Sequence, residues 1–317
     1  MTEVKSFIAT YPAGCYDIVA RELKKFSVNE LKIISHDESS VIFDATLTLE
    51  RLIEFRFFTN IFMILKDSKL SSCRSYLKGG SFRLIALVNG EPTSIADSKR
   101  NVLSGSISKE LNLKANAAKY SNDFVLVKRG NNSELLTLRL PRAKHKREKL
   151  PRGALRPELA HILLLVAGIK AKDTLLDPFA GYGSILYEAR RGFGLKHTIV
   201  IEKDAELVRQ LEGKGFEVRK GDAASIKDVA SGSVDKIVTD PPWGIYGDTK
   251  SQELRGIYAQ ALNEIKRVLK QKGIAVFLSG SRILDETILS SPDFELLKSY
   301  PVLVSGKKAT IYKLQKT

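Results

Sequence analysis

Apolar positions near the start of the chain alternate between two periods. Phe7-Ile8-Ala9-Thr10-Tyr11 is a short, largely apolar run closed by Pro12 and Gly14, which reads as a strand and its stop. Ile18, Val19, Leu23 and Phe26 then fall at helical spacing, with Arg21, Lys24 and Lys25 on the opposite face. Strands follow at residues 31–35 and 41–45, an amphipathic helix over 47–58 and a closing strand at 61–65. The order βαββαβ is the ferredoxin-like split pattern, expected over residues 1–70. A second small α+β unit is expected over 71–141. It has a strand at 81–88, a turn at Asn89-Gly90, and a helix over about 94–111 carrying Ile95, Val102, Ile107 and Leu111. Strands at 124–128 and 135–140, joined through Gly130-Asn131-Asn132-Ser133, complete it.

From residue 157 to 317 the pattern changes. Pro157 and Glu158 open a helix whose buried part is 162–166, and Gly168 stops it. Strands then recur at 174–176, 198–201, 217–219, 237–238 and 274–278, with helical patterns between them and a final pair at 300–304 and 309–313. Repeated βα units predict an α/β fold with a doubly wound, mostly parallel sheet. Ligands of such sheets bind at the carboxyl ends of the strands.

Composition narrows the function classes. The 317 residues hold two cysteines, Cys15 and Cys73, too few and too far apart for a disulfide framework or a metal site. The four histidines are scattered without ligand spacing, so no metal is expected. There is no secretory leader pattern and no apolar run long enough to cross a bilayer, so a cytoplasmic protein without membrane attachment is the expectation. The formal net charge is +15, and residues 51–156 carry nearly all of it, with 22 Lys+Arg against 8 Asp+Glu. Such a concentration is the electrostatic footprint of a polyanion partner. Residues 142–156 form a basic linker in which Arg142, Lys144, Lys146, Arg147, Lys149, Arg152 and Arg156 are the candidate phosphate contacts. A solvated linker is the plainer alternative.

Two stretches carry candidate chemistry. Val238-Thr239-Asp240-Pro241-Pro242-Trp243-Gly244 ends an apolar strand in an acid, two prolines and the only tryptophan of the chain. Consecutive prolines fix φ and remove two backbone donors. The Asp240 carboxylate and the carbonyls of Asp240 and Pro241 then form a cluster of acceptors beside a flat ring. That cup suits a planar group bearing an NH2. Taken alone, the stretch reads equally well as a strand-ending turn with a core tryptophan. The second stretch, Leu176-Asp177-Pro178-Phe179-Ala180-Gly181-Tyr182-Gly183-Ser184, follows the first strand of the sheet. Its glycines let a ligand approach the backbone at a helix N-terminus, and neither a dinucleotide fingerprint nor a P-loop is present. Glu202 ends the second strand, placed to take ribose hydroxyls, and Lys220-Gly221-Asp222-Ala223 ends the third, where an acid can accept from an adenine amino group.

Asp177-Pro178-Phe179-x-Gly181-x-Gly183 followed by Asp240-Pro241-Pro242-Trp243 resembles the motif pair of class I amino-methyltransferases, which use S-adenosylmethionine. The resemblance covers residues about 156–317. It implies a Rossmann-like methyltransferase domain in which Asp177, Phe179, Gly181 and Gly183 surround the amino-acid end of the cofactor. Glu202 would hold its ribose, and Asp222 with Ala223 its adenine. Asp240, Pro241 and Trp243 would hold the target base. With a ferredoxin-like unit and a small basic unit in front, and with Phe7 to Gly14 and Leu155-Arg156-Pro157-Glu158 also matching, the chain is similar to the THUMP-containing RNA guanine-N2 methyltransferases. It departs from them at Trp243, where Tyr or Phe is more usual, and at Tyr182, where a small residue is common. The resemblance implies a THUMP-like RNA-binding unit over 71–141. It also implies formation of N2-methylguanosine in tRNA, in the acceptor stem or at its junction with the D-arm. A monomer is the working expectation. The alternatives are amino-methylation of ribosomal RNA or DNA, and a non-catalytic RNA-binding protein with a vestigial cofactor fold.

Overall fold

The computed structural model describes residues 3–65, 70–130, 134–141, 150–151, 153–244 and 251–317. The chain divides into two compact units, Met1–Tyr11 with Ala20–Lys146, and Pro12–Val19 with Arg147–Thr317.

The front of the chain runs β1 (Lys5–Thr10), α1 (Tyr16–Leu23), β2 (Leu31–His36), β3 (Ser40–Ala45), α2 (Leu49–Ile53) and β4 (Asn60–Ile64). Strand β1 is apolar on both faces and pairs antiparallel with β3 (Ile8 opposite Ile42) and with β4 (Ile8 opposite Phe62). The order β2-β3-β1-β4 is the ferredoxin-like arrangement read from the pattern. Helix α2 is much shorter than the expected span of 47–58. Phe55, Phe57 and Phe58 leave the helix and bury their rings together, Phe57 on Phe58 at 4.6 Å and Phe55 edge-on to Phe58 at 5.8 Å. Burial of three aromatics outweighs a helical period that aromatic residues support only weakly.

The next elements are β5 (Ser81–Val88), β6 (Glu91–Thr93), α3 (Asp97–Leu111), β7 (Lys114–Ala115), β8 (Asn122–Lys128) and β9 (Leu135–Arg139), preceded by a 3-10 turn at Leu70–Tyr76. Both front stretches share one sheet, because β9 pairs with β4 and carries β8 and β5 beyond it. Three strands of this sheet align Arg83, Asp123 and Arg139 side by side. The Asp123 carboxylate is 6% exposed. It accepts from Arg83 Nε at 2.8 Å and Nη2 at 3.0 Å, and from Arg139 Nη1 at 3.2 Å. The Arg83 guanidinium also lies 4.0 Å from the Tyr120 ring centre. One carboxylate between two guanidiniums thus locks the register of β5, β8 and β9.

The second unit starts at α4 (Pro157–Ala167), with Pro157 at its first turn and Gly168 closing it in the left-handed region at φ 66°. Then come β10 (Thr174–Asp177), α5 (Ser184–Phe193), β11 (His197–Glu202), α6 (Ala205–Glu212), β12 (Glu217–Lys220), β13 (Val234–Thr239), α7 (Ser251–Val268), β14 (Leu269–Ser279), α8 (Arg282–Leu289), β15 (Phe294–Val304) and β16 (Lys307–Lys316). The sheet order is β12-β11-β10-β13-β14-β16-β15. Strands β10 to β14 pair parallel, and β16 runs antiparallel between β14 and β15. The turn from β15 to β16 is made by Ser305 and Gly306, both at positive φ, as a tight hairpin needs. Tyr258, Leu262 and Ile265 of α7 and Leu284 and Ile288 of α8 cluster with Ile237, Ala275 and Phe277 of the sheet. Helices α4 and α5 are joined by a buried pair, His161 Nδ1 to Glu188 Oε1 at 2.8 Å, with the imidazole stacked on Phe193. Chain order reverses between β10 and β13, which opens a crevice at their carboxyl ends.

Removing Asp123 leaves two guanidiniums side by side without their shared counter-charge. Asp123→Ala is expected to lower stability by about 2–3 kcal/mol, the partial exposure of the arginines holding the cost below that of a fully buried pair. Guanidinium unfolding curves check it, and an unchanged midpoint would show that the row carries no register energy.

Candidate active site

Four carboxylates gather at the carboxyl edge of the second sheet, and local backbone chemistry places each. Asp177 is the last residue of β10 and is 1% exposed. Its Oδ1 accepts from Thr239 Oγ1 at 2.7 Å and from the Phe179 backbone N–H at 3.2 Å. Burial pushes this carboxyl up to about 7, and the nearby charges of Asp240 and Glu202 push the same way against those two hydrogen bonds. Parallel pairing of β10 with β13, Leu176 opposite Ile237, makes the Thr239 bond possible across 62 residues of chain.

Glu202 ends β11 at 9% exposed. Its Oε2 accepts from the Gly181 N–H at 2.8 Å and its Oε1 from the Asp204 N–H at 2.9 Å. The acid thereby ties the glycine turn to the neighbouring strand end. Asp204, one turn on, is committed as the N-cap of α6, where its Oδ1 accepts from the N–H groups of Glu206 and Leu207. Gly181 and Gly183 both sit at positive φ, 52° and 75°. A Cβ on Gly183 would also lie 2.5 Å from Leu211 Cδ2, so packing as well as backbone demands glycine there. A Cβ on Gly181 would meet open space. Asp222 follows β12, exposed, with Oδ1 accepting from the Ala224 N–H at 2.9 Å, and Ala223 is buried beside it.

Asp240 follows β13, partly buried. Its Oδ1 accepts from Trp243 Nε1 at 2.8 Å. Burial pushes its carboxyl up to about 7, the tryptophan bond acting in the opposite direction. Pro241 is buried and Pro242 exposed. The Pro242 carbonyl accepts from the Tyr258 hydroxyl of α7. The Trp243 ring lies against Gly280, just beyond β14, where an added Cβ would stand 2.1 Å from Cε3.

Asp177, Glu202, Gly181, Gly183 and Asp240 therefore meet around the switch point, with Phe179 in the same turn. Asp222 and Ala223 stand further along the edge on β12. Arg156 is exposed at the N-cap position of α4. Arg142, Lys144, Lys146, Arg147, Lys149 and Arg152 lie outside the described residues. Sequence reasoning missed Thr239, Tyr258 and Gly280. Thr239 sat within the motif, but only the β10–β13 register gives it a partner. Tyr258 and Gly280 carry no signal in the linear chain beyond a helical apolar face and a glycine after a strand. Among the described residues, no three His, Cys, Asp or Glu side chains group as a metal site, and no helix is long and apolar enough to cross a membrane.

A cofactor with an adenosine and an amino-acid end fits this edge. The glycine turn leaves space at Gly181, and acids stand at three adjacent strand ends to accept from hydroxyl and amino groups. Five parallel strands, an antiparallel strand wedged before the last, and this acid-then-glycine turn define a class I methyltransferase domain. The chain belongs to the UPF0020 family, described as RMKL-like, methyltransferase domain, which matches residues 144–193 and 191–309, just over half of its length. A curated relative from Methanothermobacter thermautotrophicus, named tRNA (guanine(10)-N2)-dimethyltransferase, is 32% identical over 166 residues, covering 49% of this chain and 47% of that protein. A protein of the same name from Pyrococcus abyssi is 34% identical over 144 residues, 43% of each chain. This chain thus matches about half the length of each of these two relatives. Among solved structures, TrmN from Thermus thermophilus shares the fold with a TM-score of 0.77 at 19% identity, over 99% of this chain and 100% of that one.

The raised Asp240 carboxyl has a consequence for stability. An ordinary aspartate titrates near 3.8, so between that pH and about 7 the folded state binds the extra proton. The stability that goes with it is present in full below 3.8 and is lost as pH rises through about 7. Asp240→Asn removes this titration. It is expected to be more stable than the natural protein at pH 8, with the gap clearly smaller at pH 5 and closed only below about 3.8. Denaturant unfolding at both pH values checks it, and a gap independent of pH would mean that Asp240 titrates normally.

Proposed function

We propose that the protein is an S-adenosylmethionine-dependent methyltransferase that acts on the exocyclic N2 amine of a guanine in tRNA. One observation supports it above the rest. At the switch point a partly buried Asp240, held among the described residues through its Oδ1 by Trp243, stands with the acceptor carbonyls of its Pro-Pro turn beside a cofactor-type edge. The names of the curated relatives and the basic front half of the chain support a tRNA substrate.

Bound at the glycine turn, S-adenosylmethionine supplies an electrophilic methyl group on a sulfonium and leaves as the neutral thioether. The protein's own residues do the rest. Glu202 and Asp177 hold the turn that receives the amino-acid and ribose ends, and Asp222 with Ala223 stands where an adenine would lie. Asp240 Oδ2 and the Pro241 carbonyl each accept one N–H of the guanine amine. That pairing favours a pyramidal nitrogen and frees a lone pair otherwise delocalised into the ring, so the new N–C bond forms as the S–C bond breaks. The nitrogen then loses a proton, and a carboxylate that titrates near 7 is suited to take it. The target base must leave its stack to reach this edge. The basic stretch over 142–156 and the THUMP-like unit over 71–141 would position folded RNA through its phosphates.

The test is methyl transfer from labelled S-adenosylmethionine to unmodified tRNA transcripts, with the product nucleoside identified by mass spectrometry. N2-methylated guanosine is expected, and mapping it distinguishes the acceptor stem from the D-arm junction. Asp240→Ala should lower kcat at least about 100-fold while leaving cofactor affinity by calorimetry within a few fold. Incorporation only into ribosomal RNA or DNA would move the substrate. No cofactor binding at all would leave a vestigial fold that binds RNA.

A further inference from the structure

The acids of this edge share a way of being held, and Asp240 departs from it. Asp177 accepts from the N–H of Phe179, Asp204 from that of Glu206, and Asp222 from that of Ala224, in each case the backbone donor two residues on. At Asp240 the residue two on is Pro242, which has no N–H, and Pro241 has none either. The local turn that fixes the other carboxylates is chemically impossible here. The donor that replaces it is the indole N–H of Trp243, at 2.8 Å from Oδ1.

We propose that Trp243 is a positioning residue for Asp240, its N–H standing in for the backbone donor that the prolines removed, and that Gly280 is its seat. The inference rests on the role of Asp240 proposed above. The seat is sterically specific. An added Cβ on Gly280 would lie 2.1 to 2.5 Å from Cε3, Cδ2 and Cζ3 of the indole. Gly280 is not at positive φ, so the ring and not the backbone demands glycine. The turn is pinned from the other side by the Tyr258 hydroxyl on the Pro242 carbonyl. Two donors and one missing side chain therefore set the angle at which Oδ2 is presented. Phe offers no ring N–H, and the Tyr donor sits at the far end of its ring, so neither reproduces this contact. Among the described residues, the titratable groups facing Asp240 are Asp177 from β10, itself beside Glu202 of β11, and Tyr258 from α7 through the Pro242 carbonyl, and none of these is a cation.

Trp243→Phe keeps an aromatic ring and loses the donor. Benzothienylalanine at 243 keeps even the indole shape, with sulfur in place of N–H, and so controls for packing. In both, the Asp240 carboxyl should titrate about one pH unit higher, read from its 13C resonance assigned against Asp240→Asn. Transfer at pH 7 should fall about tenfold through kcat, recover toward pH 9, and leave KM for S-adenosylmethionine unchanged. Gly280→Ala should impair the natural protein more than it impairs Trp243→Phe. An unmoved Asp240 titration in the benzothienylalanine protein would overturn the proposal, as would a rate loss equal at every pH. The carboxyl titration needs no turnover. If the natural protein transfers no methyl group, the function proposed above fails while this measurement still decides how Asp240 is held.

Discussion

Parallel pairing of β10 with β13 is the contact on which the site depends. The two strands are far apart in the chain, and the strands between them in sequence, β11 and β12, all lie on the β10 side of that pair. Their pairing sets Asp177 and Asp240 at one edge and brings Thr239 to Asp177 at 2.7 Å. The same pairing is costly. It confines acids where burial resists ionisation, with the charges of Asp240 and Glu202 adding to it at Asp177, and both carboxyls rise to about 7. The site is thus an unfavourable electrostatic arrangement held in place by an apolar sheet.

Among the described residues, hydrogen bonds rather than cations hold the acids of this edge. Backbone N–H groups of the following turns serve Asp177, Glu202 and Asp222, and side chains serve where the backbone cannot. Pro241 and Pro242 remove donors from the turn whose acceptors the proposed reaction needs open. The cost of that choice is a carboxylate without a local anchor, and the indole N–H of Trp243 supplies one from three residues on. The front unit handles charge in the opposite manner. There a single buried carboxylate between two arginines holds strand register.

Much of the fold was legible in the chain because the pattern and the burial agree. Strands at 81–88, 174–177 and 197–202 stand where short apolar runs predicted them. The helix at 47–58 failed because its phenylalanines pack on rings from other elements, Phe55 on Phe26 and Phe58 on Phe43, a long-range gain that a helical period cannot register. The division at residue 70 also hid a feature, since no local signal says that β9 will pair with β4.

By itself the sequence determined the order of elements, the doubly wound second half, and the two motifs that end strands in an acid followed by proline. Those follow from local chemistry: glycine and proline limit φ, and apolar spacing sets the period. Only the tertiary structure decided which acid is free and which is occupied. Asp204 proved to be a helix cap, Glu202 an anchor of the glycine turn, and Asp240 the acid held by a single indole. It alone supplied Thr239, Tyr258 and Gly280 with their partners. The physical reason is that a hydrogen bond or a steric seat belongs to two residues at once, and its second residue is chosen by register and packing across the sheet.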